Sequence, residues 1–81
     1  DMNFLNHNGK IIAARPEDIT ISEKASDFSG TIRTIMVLGH YEEVTVQCGN
    51  SIVRCFATRE QAKNLAPGQQ VHLGLNRYHE F

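Results

Sequence analysis

Two strand-like runs separated by only two turn residues constrain this chain more than any other feature. Glu43–Cys48 alternates, with Val44, Val46 and Cys48 on one face, and Ser51–Ala57 follows directly after Gly49-Asn50. A two-residue loop of this composition predicts a tight hairpin whose strands return antiparallel. The inward set of the second strand is either Val53 and Cys55 or Ile52 and Phe56, depending on loop length. More strand signals flank the hairpin. Lys10–Arg15 is extended up to Pro16, because the residue before a proline is pushed out of helical geometry. Asp18–Ser22 places Ile19 and Ile21 on one face, and Gln70–Leu75 places Val71, Leu73 and Leu75 on one face. Asn6-His7-Asn8-Gly9, Glu17-Asp18 and Pro67-Gly68 read as turns. Asp1–Leu5 reads as the end of a linker or a first strand, Glu23–Ser29 as a polar loop, and Arg77–Phe81 as a final short extended piece. The one helix signal is Thr58 followed by Gln61, the spacing of a capping box, which predicts a short helix through Asn64.

Gly30–Leu38 breaks the pattern. Ile32, Met36 and Leu38 fall on one face of an ideal strand and Ile35 and Val37 on the other. Two arrangements need that: a bent strand serving both halves of a small barrel, or a strand whose second face is covered by another protein. Strands, then a short helix, then strands again predict an all-β fold, a small OB-like Greek-key barrel of five strands with one helix between them. Residues 1–81 form a single domain. A chain this short buries only roughly 60% of its unfolded surface, so a partner is expected.

Catalytic chemistry is not written in the chain. It contains no Walker A loop and no GxGxxG, HExxH, CxxC or GxSxG pattern. No serine is spaced beside a histidine and an aspartate as a triad would suggest. His7, His40, His72 and His79 are never two or four apart, and read as turn or solvent-facing residues rather than metal ligands. Thus no catalytic, cofactor-binding or metal-binding residue is expected. The net charge is −1, from 8 basic and 9 acidic residues. Arg15, Arg33, Arg54, Arg59 and Arg77 are scattered, and Tyr41, Tyr78 and the phenylalanines are not interleaved with them. An OB-type nucleic-acid binder therefore ranks third among the readings. Across the predicted hairpin Cys48 faces Ser51 and Cys55 faces Val44, which separates the cysteines by ~13 Å of strand. A disulfide needs Cα atoms within ~7 Å, so two free, buried thiols in a reducing compartment are expected. Apolar runs are far short of a membrane span, and Asp1–Lys10 has no signal-peptide pattern. Both fit a cytoplasmic location. The first residue is Asp1 rather than methionine, and the expectation is a domain cut from a longer chain.

Three segments together resemble the TOBE (transport-associated OB) domain of ABC importer ATPases. They are Met2-Asn3-Phe4-Leu5, Ala14-Arg15-Pro16-Glu17-Asp18-Ile19, and a stretch from Gly30 through Leu38-Gly39 to Ala66-Pro67-Gly68-Gln69-Gln70-Val71. His79-Glu80-Phe81 is a weaker echo of the family's end. The resemblance implies a non-catalytic domain that follows a nucleotide-binding domain. It implies assembly with a sister copy or the ATPase domain, contact with membrane permease subunits through the parent complex, and input from a small-molecule effector. ATP and Mg would belong to the parent ATPase, which would sit at the inner face of the cell membrane. Arg15 and Glu17 form either a local ion pair or corner cap, or a contact to the partner. Ile35 or Val37, whichever the barrel leaves out, is expected to meet the partner. The segment between Leu5 and Lys10 is shorter than in sugar-type relatives. Ala57–Ala62 also resembles the related molybdate-binding domains, although their Ser-Arg-Asn type motif is missing from this sequence. A small oxyanion-binding module is thus the second reading.

Overall fold

The computed structural model describes residues 2–22, 24–26 and 28–81. Strands β1 (Asn3–His7) and β2 (Lys10–Ala14) are followed by a 3-10 turn at Pro16–Asp18. Strands β3 (Ile19–Ser22), β4 (Phe28–Val37), β5 (Tyr41–Cys48) and β6 (Ser51–Thr58) come next. Helix α1 (Arg59–Ala62) leads to β7 (Gln70–Leu75) and β8 (His79–Glu80). The expected barrel is a five-stranded antiparallel sheet, in the order β3-β7-β4-β5-β6, joined by a smaller three-stranded sheet, β1-β2-β8. The large sheet curls until its edge strands β3 and β6 approach each other, and β1 and the Pro16–Asp18 turn also pack on β6.

The local chemistry explains most boundaries. Asn8 and Gly9 both have positive φ (52° and 80°), as a two-residue hairpin turn of the primed kind requires. The turn expected at Asn6–Gly9 therefore shrinks to its last two residues, and β1 continues to His7. Of the expected Asp1–Leu5 piece, Asp1 lies outside the described residues. Of the expected Glu23–Ser29 loop, Glu23 and Asp27 lie outside them too, while Phe28 and Ser29 already belong to β4 because they pair with Leu73 and His72. The capping box forms in full. Thr58 Oγ1 accepts from Gln61 N (3.1 Å) and Gln61 Oε1 accepts from Thr58 N (2.9 Å). The helix is shorter than expected and ends at Ala62, because the following amides of Asn64 and Leu65 donate three residues back rather than four.

Hairpin β5–β6 forms in the expected register: Cys48 opposes Ser51 and Cys55 opposes Val44, and both cysteines are free. The open question of facing is answered for Val53 and Cys55, which point inward with Ala57. Ile52 is exposed, and Phe56 packs outside the barrel, edge-on to Tyr41 at 4.9 Å. The irregular strand resolves into a bulge. The β4–β5 register shifts between Ile32 and Thr34, so Ile32 opposes Val46 and Ile35 opposes Val44. One extra residue, Arg33, thus moves Ile32 and Ile35 onto the same, core-facing side and leaves Met36 on the other. The face assignment drawn from ideal alternation is corrected accordingly. Gly30 allows β4 and β5 to come this close. A Cβ there would lie 2.7 Å from Val46 Cγ1 and 2.8 Å from Cys48 Sγ, and nearer still to the Gln47 carbonyl.

The core holds Ile32, Val44, Val46, Val53, Cys55, Val71 and Leu73, with Leu5 and Ile12 added from the small sheet. Among the described residues the single buried polar one is Asn3. Its side chain donates to the Arg54 carbonyl (2.7 Å) and accepts from the Arg54 amide (2.9 Å). Asn3 satisfies on β6 the groups that a neighbouring strand would otherwise satisfy, and so stitches the small sheet to the large one.

Candidate functional site

The Pro16–Asp18 turn builds one wall of a polar surface cleft. Arg15 is extended (φ −78°, ψ 151°) ahead of Pro16, whose ring is buried. Asp18 N donates to the Arg15 carbonyl (2.9 Å) and closes the turn. The opposite wall comes from the far end of the chain. Asn76 N donates to the Asp18 carbonyl (2.8 Å), and Asn76 Nδ2 donates to Thr20 Oγ1 (2.9 Å). The pairing of β2 with β8 sets Ala13 opposite His79. These bonds hold Arg77 and His79 across from Arg15, Glu17 and Asp18 around a cleft of ≈ 410 Å³. An adjoining hollow of ≈ 70 Å³ has Met2, Ala13, Ala14 and Tyr78 in its lining.

The charges in this cleft are not paired with one another. Among the described residues the ion pairs are Lys10–Glu80 (3.4 Å) and Lys63–Glu60 (3.2 Å), both on exposed side chains elsewhere. The local ion pair considered for Arg15 and Glu17 is therefore not formed, and the turn has no side-chain cap. Of the sequence-predicted residues, the structure brings Arg15 and Glu17 together here and places Ile35 and Val37 elsewhere, on β4. Ile35 is half-buried against the core, while Val37 lies exposed at the end of the strand. Asp18, Arg77 and His79 carry no sequence signal that marks them for this cleft. No sequence spacing couples residues 15–18 to 77–79; the β2–β8 and β3–β7 pairings and the Asn76–Asp18 bond do.

Other reactive groups are arranged for structure. Burial pushes the Cys48 thiol up from its ordinary value. Burial, with smaller contributions from Cys48 and Glu43, pushes Cys55 up to about 12. Thiols held protonated in this way are poor nucleophiles and poor metal ligands. Among the described residues no group of three His, Cys, Asp or Glu side chains is placed to hold a metal ion. Ser22 and Ser29 flank His72 across β3, β7 and β4. Yet Ser22 Oγ accepts from the Lys24 amide, and His72 Nδ1 is buried with no partner among the described residues. No described helix is long and apolar enough to cross a membrane.

The curled antiparallel sheet, joined by the smaller sheet, defines a small OB-like β fold with a charged cleft on its surface. The particular family follows: the chain belongs to the TOBE domains, whose family model matches residues 12–81. Among solved structures it is similar to the cytoplasmic molybdate-binding protein ModG with molybdate bound, at a TM-score of 0.65 and 17% identity. The superposition covers 82% of this chain and 61% of the ModG chain, so the likeness spans less than two thirds of that protein and shows the fold. No curated protein sequence matches the chain.

Proposed function

We propose that this chain is the non-catalytic accessory domain of an ABC-transporter ATP-binding subunit, and that it serves subunit assembly and the sensing of a small effector. The observation that carries this reading is TOBE membership over residues 12–81. It is supported by the end of the β4–β5 hairpin, where Met36, Val37, Leu38 and Tyr41 stand exposed. The barrel uses Ile35 and leaves Val37 out, so Val37 is the residue to meet a sister copy or the ATPase domain. ATP and Mg would bind the parent's nucleotide-binding domain, and the parent complex would bring the domain to permease subunits at the cytoplasmic face of the membrane. Two measurements test the reading. The coding sequence upstream of Asp1 should contain a Walker A motif, and its absence there would refute the ABC context. Light scattering over a concentration series should show association that Val37→Asp weakens; a chain that stays monomeric when the parent ATPase domain is added would refute the assembly role.

The fold shared with ModG favours a second reading, a small oxyanion-binding module. A ligand that binds only the native state must raise the thermal midpoint. Titration with molybdate, tungstate and sulfate therefore separates the two, since an accessory domain without an oxyanion site gives no shift.

A further inference from the structure

We infer that the cleft between the Pro16–Asp18 turn and the Arg77–His79 segment binds a small zwitterion, a molecule carrying one oxyanion group and one ammonium group on a short linker. The inference concerns this chain's own residues and stands with or without an attached ATPase domain. Its frame is fixed by backbone contacts, with Asp18 bonded to both Arg15 and Asn76 and Ala13 paired with His79. Its charged side chains, by contrast, lie outside the ion pairs found among the described residues. A fixed frame whose charges pair with no other described residue needs little reorganisation to accept a ligand.

Charge then selects the ligand. Arg15 and Arg77 line the same cleft as Glu17 and Asp18. A guanidinium presents forked donors that match a carboxylate or phosphate. A plain anion would meet the two carboxylates, and a plain cation would meet the two guanidinium groups; like charges brought together disfavour each. A zwitterion directs its oxyanion to Arg15 and Arg77 and its ammonium to Glu17 and Asp18. Size agrees: ≈ 410 Å³ lies within the ≈ 300–1,000 Å³ of small-molecule sites. The polar lining departs from the apolar norm of such sites and points to a charged guest. The adjoining hollow, with Met2, Ala13 and Ala14 in its lining, gives a short alkyl linker an apolar wall.

The test is an amide NMR titration of the labelled chain with phosphoethanolamine, β-alanine, inorganic phosphate and ethanolamine. The first two carry both charge signs and differ in the oxyanion; the last two carry charge of one sign only. At least one zwitterion should shift the amides of Arg15, Glu17, Asp18 and residues 77–79 and bind about tenfold more tightly than either probe of one charge sign. Arg77→Gln should weaken the zwitterion and phosphate together, whereas Glu17→Gln should weaken the zwitterion and leave phosphate unchanged or tighter. The Asn76 amide should stay protected from exchange in both variants, which shows that the frame survives. Equal affinity for phosphate and the zwitterions would overturn the inference in favour of a plain anion site. Equal affinity for ethanolamine would make it a cation site, and unshifted amides with all four probes would leave the cleft without a small-molecule role.

Discussion

The two ends of the β4–β5 hairpin are built from similar residues and meet opposite fates. Near the base Ile32 and Val46 oppose each other and are 1% and 0% exposed, with Val53 of β6 alongside at 0%. Toward the tip Met36 and Val37 are 56% and 61% exposed. The strands are the same; what differs is how much of the molecule stands behind them. At the base β7 pairs with β4 over Phe28–Thr31, and the rest of the barrel fills the interior. Beyond Thr34 β4 keeps only β5 as a ladder partner. Burial here belongs to the position in the barrel rather than to residue type, and the apolar tip is what the barrel leaves uncovered.

The contrast can be broken directly. Ile32→Ala should cost about 2–5 kcal/mol, since it empties a fully packed site, while Met36→Ala should change stability by no more than about 0.5 kcal/mol. Urea denaturation of both variants measures this, and equal losses would mean that the tip is as structural as the base. The edge of the base offers the next test. Asn3→Ala leaves the Arg54 amide and carbonyl without their partners and should cost about 1–3 kcal/mol. A loss below the scatter of the denaturation curves would show that water replaces the side chain without penalty.

Acidity sharpens the same comparison. Cys55 lies in the packed interior, and its folded-state value is raised from 9.0 to about 12. Unfolding therefore releases a proton above pH 9. The stability tied to the protonated thiol is complete below about pH 9 and is lost as pH climbs toward 12. From pH 8 to 10 the loss should be about 1.4 kcal/mol, and Cys55→Ala should remove that part of the pH dependence. An unchanged slope in the variant would assign the loss to other groups. The smallest expected change is at the tip, where Val37→Asp should leave the unfolding free energy within about 0.5 kcal/mol of wild type. Association measured by light scattering should nevertheless weaken. A large loss of stability would mean that Val37 supports the barrel and is not held out for a partner.

Much of this was legible in the residues. Gly49-Asn50, the Thr58/Gln61 capping box and Pro16 are local signals, and each produced the expected turn, cap or corner. The OB-like class followed from their order. The facing of β4 was not legible, because a bulge of one residue reverses alternation and its position depends on the partner strand. The two inward sets considered for Ser51–Ala57 could be separated only by the pairing with β5. The cleft was half legible: Arg15 and Glu17 stood out beside Pro16, but Arg77 and His79 reach them through a strand pairing between the two ends of the sequence. Long-range pairing of that kind leaves no periodic trace.

Asn3 has a consequence for behaviour in concentrated solution. A sheet edge with free amides and carbonyls is a template on which strands of other molecules can add. The Asn3 side chain occupies that template at Arg54, in the middle of β6. Were β1 to lift away, this stretch of β6 would present unpaired groups on which a strand of another copy could add. One amide side chain is therefore also a safeguard against polymerisation, and its loss should shorten the lag before fibres appear even under conditions where most molecules remain folded.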